Sequence, residues 1–279
     1  MNPKLALDKI KQKYDRKDFL NSDPIQFCYE YENKNDIEIV GFISALFSYG
    51  NVISIQNFLR KLFSYLGKNP VTFLKTRSMN KENFPDLKYR FQTREDIWIF
   101  LLTIQEILKE NDSLESHFGD FALTTDKRIL VFQNKFQSMI SAITNKKTSS
   151  GLNFLIGSGK INSANKRYNM FLRWMTRDSF PDFGIYKSFR TEDLLYPVDV
   201  HIKKFSHVLG FTNQKSVNLN FSKEITNYIK MFNPKDPLTY DFSLSRLGIL
   251  KQCKMKYVSE ICESCELKSI CKIYALSTR

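Results

Sequence analysis

Four of the five cysteines, Cys253, Cys262, Cys265 and Cys271, crowd into the end of the chain, while Cys28 stands alone near its start. The Cys262-x-x-Cys265 pair can place two thiolates on one centre, and in a reducing compartment such a set is expected to hold a metal rather than form disulfides. Four thiolates suit an iron–sulfur cluster or zinc. A second constellation lies upstream. Gly157-x-Gly159 makes a tight turn, Lys160 follows it, Ser163 is expected to cap a helix, and Lys166, Arg167 and Arg173 ride on that helix. Backbone N–H groups of such a turn, with a positive helix end behind them, can hold a DNA phosphate without reading sequence. The same two glycines also serve as a plain tight turn. Further on, Tyr196-Pro197-Val198-Asp199-Val200-His201 opens another helix. That puts the Asp199 carboxylate at a helix N-terminus, where it either caps the helix or does chemistry.

The elements that must position these residues read as helices. Leu5, Leu7, Ile10 and Tyr14 recur at helical spacing before the break at Ser22-Asp23-Pro24. The stretches Asp36–Phe47, Asp96–Leu108 and Ile129–Ile143 continue the pattern. Ile55, Leu59, Leu62 and Leu66 mark one buried face, with the loop Ser48-Tyr49-Gly50-Asn51 ahead of them. Ala164, Tyr168, Leu172 and Met175 share a side of the lysine-bearing helix, and Ile202, Phe205, Val208 and Leu209 face inward before Gly210. Sustained period-two alternation is hard to find, so an all-α fold is expected. The polar stretches Asn33–Asn35 and Thr144–Ser150 are the candidate boundaries, dividing the chain into 36–150 and 1–35 plus 151–279.

Composition narrows the class. The 279 residues carry 42 Lys+Arg against 29 Asp+Glu, a formal charge of +13 that points toward polyanions. With 42% hydrophobic residues, 14% aromatic, 10 Gly and 8 Pro, neither disorder nor low complexity is expected. The longest apolar run, Ile97–Ile104, is shorter than the roughly 20 residues a membrane span takes. The amino terminus alternates charged and apolar positions and lacks a secretory signal, so a cytoplasmic protein is expected.

The order of parts, a glycine turn, a lysine on the next helix, a Pro-Val-Asp-Val-His helix start and a C-terminal cysteine set, resembles the helix–hairpin–helix DNA glycosylase superfamily. Pro197-Val198-Asp199-Val200-His201 is similar to the segment bearing the catalytic aspartate in 8-oxoguanine glycosylases. The four cysteines resemble the iron–sulfur loop of endonuclease III, with a longer first gap. Lys166 lies farther before Asp199 than in most members, as in the archaeal 8-oxoguanine glycosylase branch, AGOG. The chain looks like a bacterial family similar to that branch. The likeness runs through Ser163-Ala164-Asn165-Lys166-Arg167, the residues from Asn169 to Met175, and Pro197-Val198-Asp199. It continues in Asp23-Pro24, Asp36-Ile37-Glu38, the residues from Ala45 to Gly50, and Tyr240-Asp241-Phe242-Ser243-Leu244.

The resemblance implies two helical subdomains with a cleft between them. Residues 36–150 would form a helical bundle, and 1–35 plus 151–279 the helix–hairpin–helix catalytic subdomain with its four-cysteine loop. It implies a bifunctional 8-oxoguanine DNA glycosylase and abasic-site lyase acting on double-stranded DNA that contains a damaged base. Lys166 is the expected nucleophile at C1′ and Asp199 the carboxylate that accepts its proton or stabilises the sugar cation. The resulting Schiff base permits β-elimination. A damaged base must leave the stack first, so a pocket is needed. Asp241 is expected to accept from guanine N1–H and the exocyclic amine, with Phe27, Tyr49 and Trp174 as stacking candidates. Gly157, Gly159, Lys160, Arg167, Lys203 and Lys204 are expected at phosphates. The implied cofactor is a [4Fe-4S] cluster, with structural zinc as the alternative, in a monomer at the bacterial nucleoid. Two other readings stand beside this one: a glycosylase for another damaged base, and a noncatalytic DNA-binding protein with a structural metal module.

Overall fold

The computed structural model describes residues 3–145 and 147–278. Among these the chain is all-α, with no strand and one isolated bridge between Tyr89 and Gln92. No helix among them is long and apolar enough to cross a membrane. Two compact units form: one spans Pro24–Ile161, and the other joins the residues up to Asp23 to those from Asn162 onward.

In chain order, the split unit begins with α1 (Pro3–Tyr14) and a 3-10 turn, Lys17–Ser22. The continuous unit holds a 3-10 stretch (Pro24–Glu30), α2 (Lys34–Leu46), α3 (Val52–Leu66), α4 (Pro70–Thr76), α5 (Arg94–Glu110), α6 (Thr125–Thr144) and α7 (Ser150–Ile156). The split unit resumes with α8 (Lys166–Thr176), α9 (Val200–Val208), α10 (Leu219–Lys230), α11 (Asp241–Ile249), α12 (Ser259–Cys262) and α13 (Lys272–Ser277).

Helix ends follow their capping residues. Thr93 and Asp96 build a reciprocal capping box at α5, with Asp96 N donating to Thr93 Oγ1 at 3.2 Å and Thr93 N to Asp96 Oδ2 at 2.8 Å. Asn51 Oδ1 accepts from Ser54 N at 2.8 Å to start α3, and Gly67, at φ +74°, ends it. The continuous unit is centred on Phe42, whose ring lies 5.4 to 6.2 Å from those of Phe100, Phe132 and Phe136. Burying each such side chain contributes about 1.5–3 kcal/mol. In the split unit Leu7 and Ile10 of α1 are enclosed together with Trp174, Tyr196 and Phe205.

The unit borders fall elsewhere than at residues 36 and 150. The 3-10 stretch Pro24–Glu30 packs along α2, and α7 packs on α5 and α6, so both belong to the continuous unit. At α8 the cap is Asn165, in the left-handed region at φ +42°, and not Ser163. Ser163 Oγ instead accepts from Asn165 N at 3.3 Å.

Candidate functional site

Asp199 sits at the N-cap of α9. Its Oδ1 accepts from the N–H groups of His201 and Ile202, each at 2.8 Å, so one carboxylate oxygen is fully used in capping. α9 packs against α11, and the two backbones approach closely at Gly248. A Cβ there would lie 2.5 Å from His201 Nδ1 and 2.9 Å from His201 Cβ, so the crossing requires glycine. His201 thereby fills the seam between the helices that carry Asp199 and Asp241.

Asp241 opens α11 and is buried beside a charged cluster whose members come from separate segments of the chain. Arg173 of α8 donates through Nη1 to Asp241 Oδ2 and through Nε to Asp182 Oδ1, the latter at 3.2 Å. Arg177, one turn on, donates to Asp182 and reaches Asp236 Oδ2 at 2.8 Å. Arg246 of α11 pairs with Asp23 at 2.8 Å. Arg173 is 2% exposed and the Asp182 side chain 0%, so the charges neutralise one another away from water. Burial pushes the Asp241 carboxyl up to about 6. Arg173 opposes that shift, the nearby charge of Asp199 adds to it, and Lys166 works against it.

Lys166 is the first residue of α8 and is half-buried. It and Asp199 both act electrostatically on Asp241, so the split unit brings together three residues that are far apart in sequence. Lys203 and Lys204 lie on α9 in the same unit, and Arg167 follows Lys166 on α8.

Other expected site residues are placed differently. Gly157 and Gly159 do turn at positive φ, +97° and +65°, but their open faces are filled by α6. A Cβ would meet Gln133 Nε2 at 2.4 Å and Asn134 Oδ1 at 2.7 Å. Gln137 Nε2 donates to Gly157 O, and Gly157 N closes α7 by donating to Asn153 O at 2.9 Å. The glycines and the exposed Lys160 thus belong to the continuous unit, whereas Lys166 belongs to the split one. Trp174 is 0% exposed and Phe27 1%, the latter against Phe63 at 5.4 Å. Both rings are core, and neither offers a face to a base.

Tyr49 alone among the three stacking candidates is part-exposed, and it lies in a cluster the sequence did not announce. Its ring is parallel to Phe91 at 6.2 Å and edge-on to Phe154 at 4.9 Å; Phe91 and Phe154 are 54% and 43% exposed. The Arg90 guanidinium lies 5.9 Å from the centre of the Tyr49 ring and 5.4 Å from that of Phe91. Arg90 holds φ +49°, an unfavourable value for a side-chain-bearing residue. Buried Gln92 fixes the corner: its Oε1 accepts from Tyr49 OH and its Nε2 donates to Gly151 O at 2.7 Å.

All four C-terminal cysteines line one cavity of about 40 Å³, walled also by Leu247, Val258, Ile261 and Ile273. Burial pushes the Cys253 and Cys265 thiols up, and neighbouring thiols add to the shift. No three His, Cys, Asp or Glu side chains among the described residues already converge on a common metal position. The donor set of four sulfurs around one apolar-walled space still fits a four-thiolate centre in its chemistry.

Fold and site together define an all-helical protein of two units, one of which buries an arginine–aspartate cluster whose Asp241 feels the charges of Lys166 and Asp199. Residues 23–250 match the family described as protein of unknown function, DUF2400, and the chain belongs to that family. The match takes in Lys166, Asp199 and Asp241 and ends before Cys253. No curated protein and no solved structure matches the chain.

Proposed function

We propose that the protein excises damaged bases from DNA as a bifunctional 8-oxoguanine glycosylase and abasic-site lyase. The observation that carries this reading is the gathering of Lys166, Asp199 and Asp241 in one unit, close enough for Asp241 to feel both other charges. In the reaction, Lys166 Nζ bonds to C1′ as the bond from C1′ to the base breaks, and the departing electron pair stays on the base nitrogen. Asp199 takes the proton released by the amine through Oδ2, the oxygen not used in capping. Ring opening gives a Schiff base; loss of a 2′ proton then expels the 3′ phosphate, which is β-elimination. Asp241 Oδ1, beside the oxygen that Arg173 holds, accepts from the guanine edge.

The net charge of +13 supports a polyanionic partner, with Arg167, Lys203 and Lys204 as phosphate contacts. The corner of Tyr49, Arg90, Phe91 and Phe154 supplies exposed rings and a cation of the kind that stacks on bases. Cys253, Cys262, Cys265 and Cys271 would hold a [4Fe-4S] cluster or zinc, which when bound would cross-link the C-terminal loop.

The test is a duplex with one 8-oxoguanine opposite cytosine, treated with borohydride in the presence of the protein. A covalent adduct with wild type, absent with Lys166→Gln, is expected. Wild type that binds the duplex yet neither excises nor traps defeats this reading; other lesions are then tried before the noncatalytic DNA-binding reading is adopted.

A further inference from the structure

Helix α1 touches both the cysteine loop and the start of α11, and its polar side chains are divided between them. Toward α11, Lys11 Nζ donates to Thr239 Oγ1 at 2.8 Å, Tyr240 OH donates to Asp8 Oδ1 at 2.6 Å, and Ser243 Oγ donates to Asp15 Oδ1 at 2.6 Å. These three bonds bracket Asp241 on both sides. Toward the loop, Lys13 Nζ pairs with Glu266 Oε1 at 2.8 Å, and Glu266 follows Cys265 directly. Leu267, next in the chain, is 3% exposed, and the turn Lys268–Ile270 that follows it packs on α1. The other end of α11 reaches the same place, since Leu247 lines the cysteine cavity and Gln252 N bonds Leu247 O at 3.1 Å just before Cys253.

We propose that α1 is a strap whose Asp8 and Lys11, with Asp15 just past its end, position Asp241, and that filling the cysteine pocket with a metal tightens the strap through Glu266 and Lys13. The physical basis is ordering. A loop cross-linked at four sulfurs loses conformational freedom, so the groups it fixes in space, Glu266 and Leu267, hold α1 in one register more of the time. α1 passes that order to residues 239–243 through bonds that are already formed. Asp8, Lys11 and Asp15 are therefore positioning residues. Their relevance to catalysis rests on the role proposed for Asp241, whereas the coupling itself is a property of the folded chain.

The experiment uses the full chain without DNA, stripped of metal under reducing conditions and then given Zn²⁺ alone as the probe. Amide hydrogen exchange is read in three segments: the cysteine loop (258–271), α1 (3–14) and the start of α11 (241–247). Zn²⁺ is expected to slow exchange in all three, by about tenfold or more in the loop. In Lys13→Glu, which turns the Glu266 pair into a repulsion at an exposed site, the loop is expected to stay protected while α1 and 241–247 lose the response. Protection confined to the loop in wild type overturns the proposal. So does a Lys13→Glu protein that responds like wild type, or a wild-type loop that Zn²⁺ leaves unchanged. Failure of the borohydride trap with this coupling intact sinks base excision and leaves the strap standing.

Discussion

The Arg173 guanidinium holds the Asp241 carboxylate inside the split unit, joining the middle of α8 to the first residue of α11. Because the same guanidinium also serves Asp182, its removal leaves the buried Asp241 unpaired and Asp182 with Arg177 alone. Arg173→Met is therefore expected to destabilise the protein by about 3–5 kcal/mol, the usual result of breaking one side of a buried pair. Arg173→Lys should recover only part of that, since one ammonium cannot reproduce the fork. Equilibrium urea unfolding of the three proteins checks this; a loss under about 1 kcal/mol for Met would show that the network does not hold the fold.

The pH dependence has a definite sign. Asp241 is raised from 3.8 to about 6, chiefly by burial, so folding favours its protonated form. Its contribution to stability is full below about 3.8 and is lost as pH rises through about 6. Wild type should thus lose stability relative to Asp241→Asn across that window, and the Asp241 carboxyl resonance should titrate with a midpoint near 6. Since the proposed contact needs the carboxylate form, excision should rise over the same window.

At the helix crossing, Gly248→Ala puts a methyl group 2.5 Å from His201 Nδ1. Overpacking of this kind costs about 1–3 kcal/mol. His201→Ala in the same chain should remove most of the penalty, a coupling that a double-mutant cycle measures. If the two effects simply add, the seam is looser than the distance implies.

The aromatic corner separates stability from binding. Arg90→Gly relieves a left-handed backbone worth about 1–2 kcal/mol and gives up a cation–π contact of about 0.5–1, so stability should hold or rise slightly. DNA affinity should fall in Arg90→Gly, and Phe91→Ala should lose about 1–3 kcal/mol of binding if the ring stacks on a base. Fluorescence titration at fixed salt reads both; unchanged affinity in both variants removes this corner from the DNA interface.

For the cysteine loop, elemental analysis of protein purified anaerobically should find iron or zinc, sharply reduced in Cys265→Ser. Iron with brown colour marks a cluster, and zinc without colour marks a structural ion. Neither metal in the wild type would reassign the four cysteines to loop packing.

What the sequence made legible was mostly local. The spacing of Ile55, Leu59, Leu62 and Leu66 located α3 because one helix face is buried, and Asp199 announced a helix start because capping depends on neighbours three residues away. Arg173 and Arg177 read as ordinary basic positions because their partners, Asp182, Asp236 and Asp241, arrive from other segments. One signal was available: Phe171, Leu172, Trp174 and Met175 leave Arg173 no route to water, so a buried partner was required. Phe91 and Phe154 were invisible as a pair because a turn near Gln92 and a short helix meet only in the folded unit. The 3-10 stretch at Pro24–Glu30 carries no helical period, so nothing in its own sequence marks the unit border at Pro24.

The split of one unit across both ends of the chain has a consequence for synthesis. Ribosomes make α1 early, yet its apolar face has no α11 to cover it until more than two hundred residues later, on the order of ten seconds or more at ordinary elongation rates. The continuous unit can fold meanwhile, so a nascent chain carries one finished body and one exposed amphipathic helix. A chain that stops before Asp241 never closes the split unit, and its bare α1 is open to chaperones and proteases.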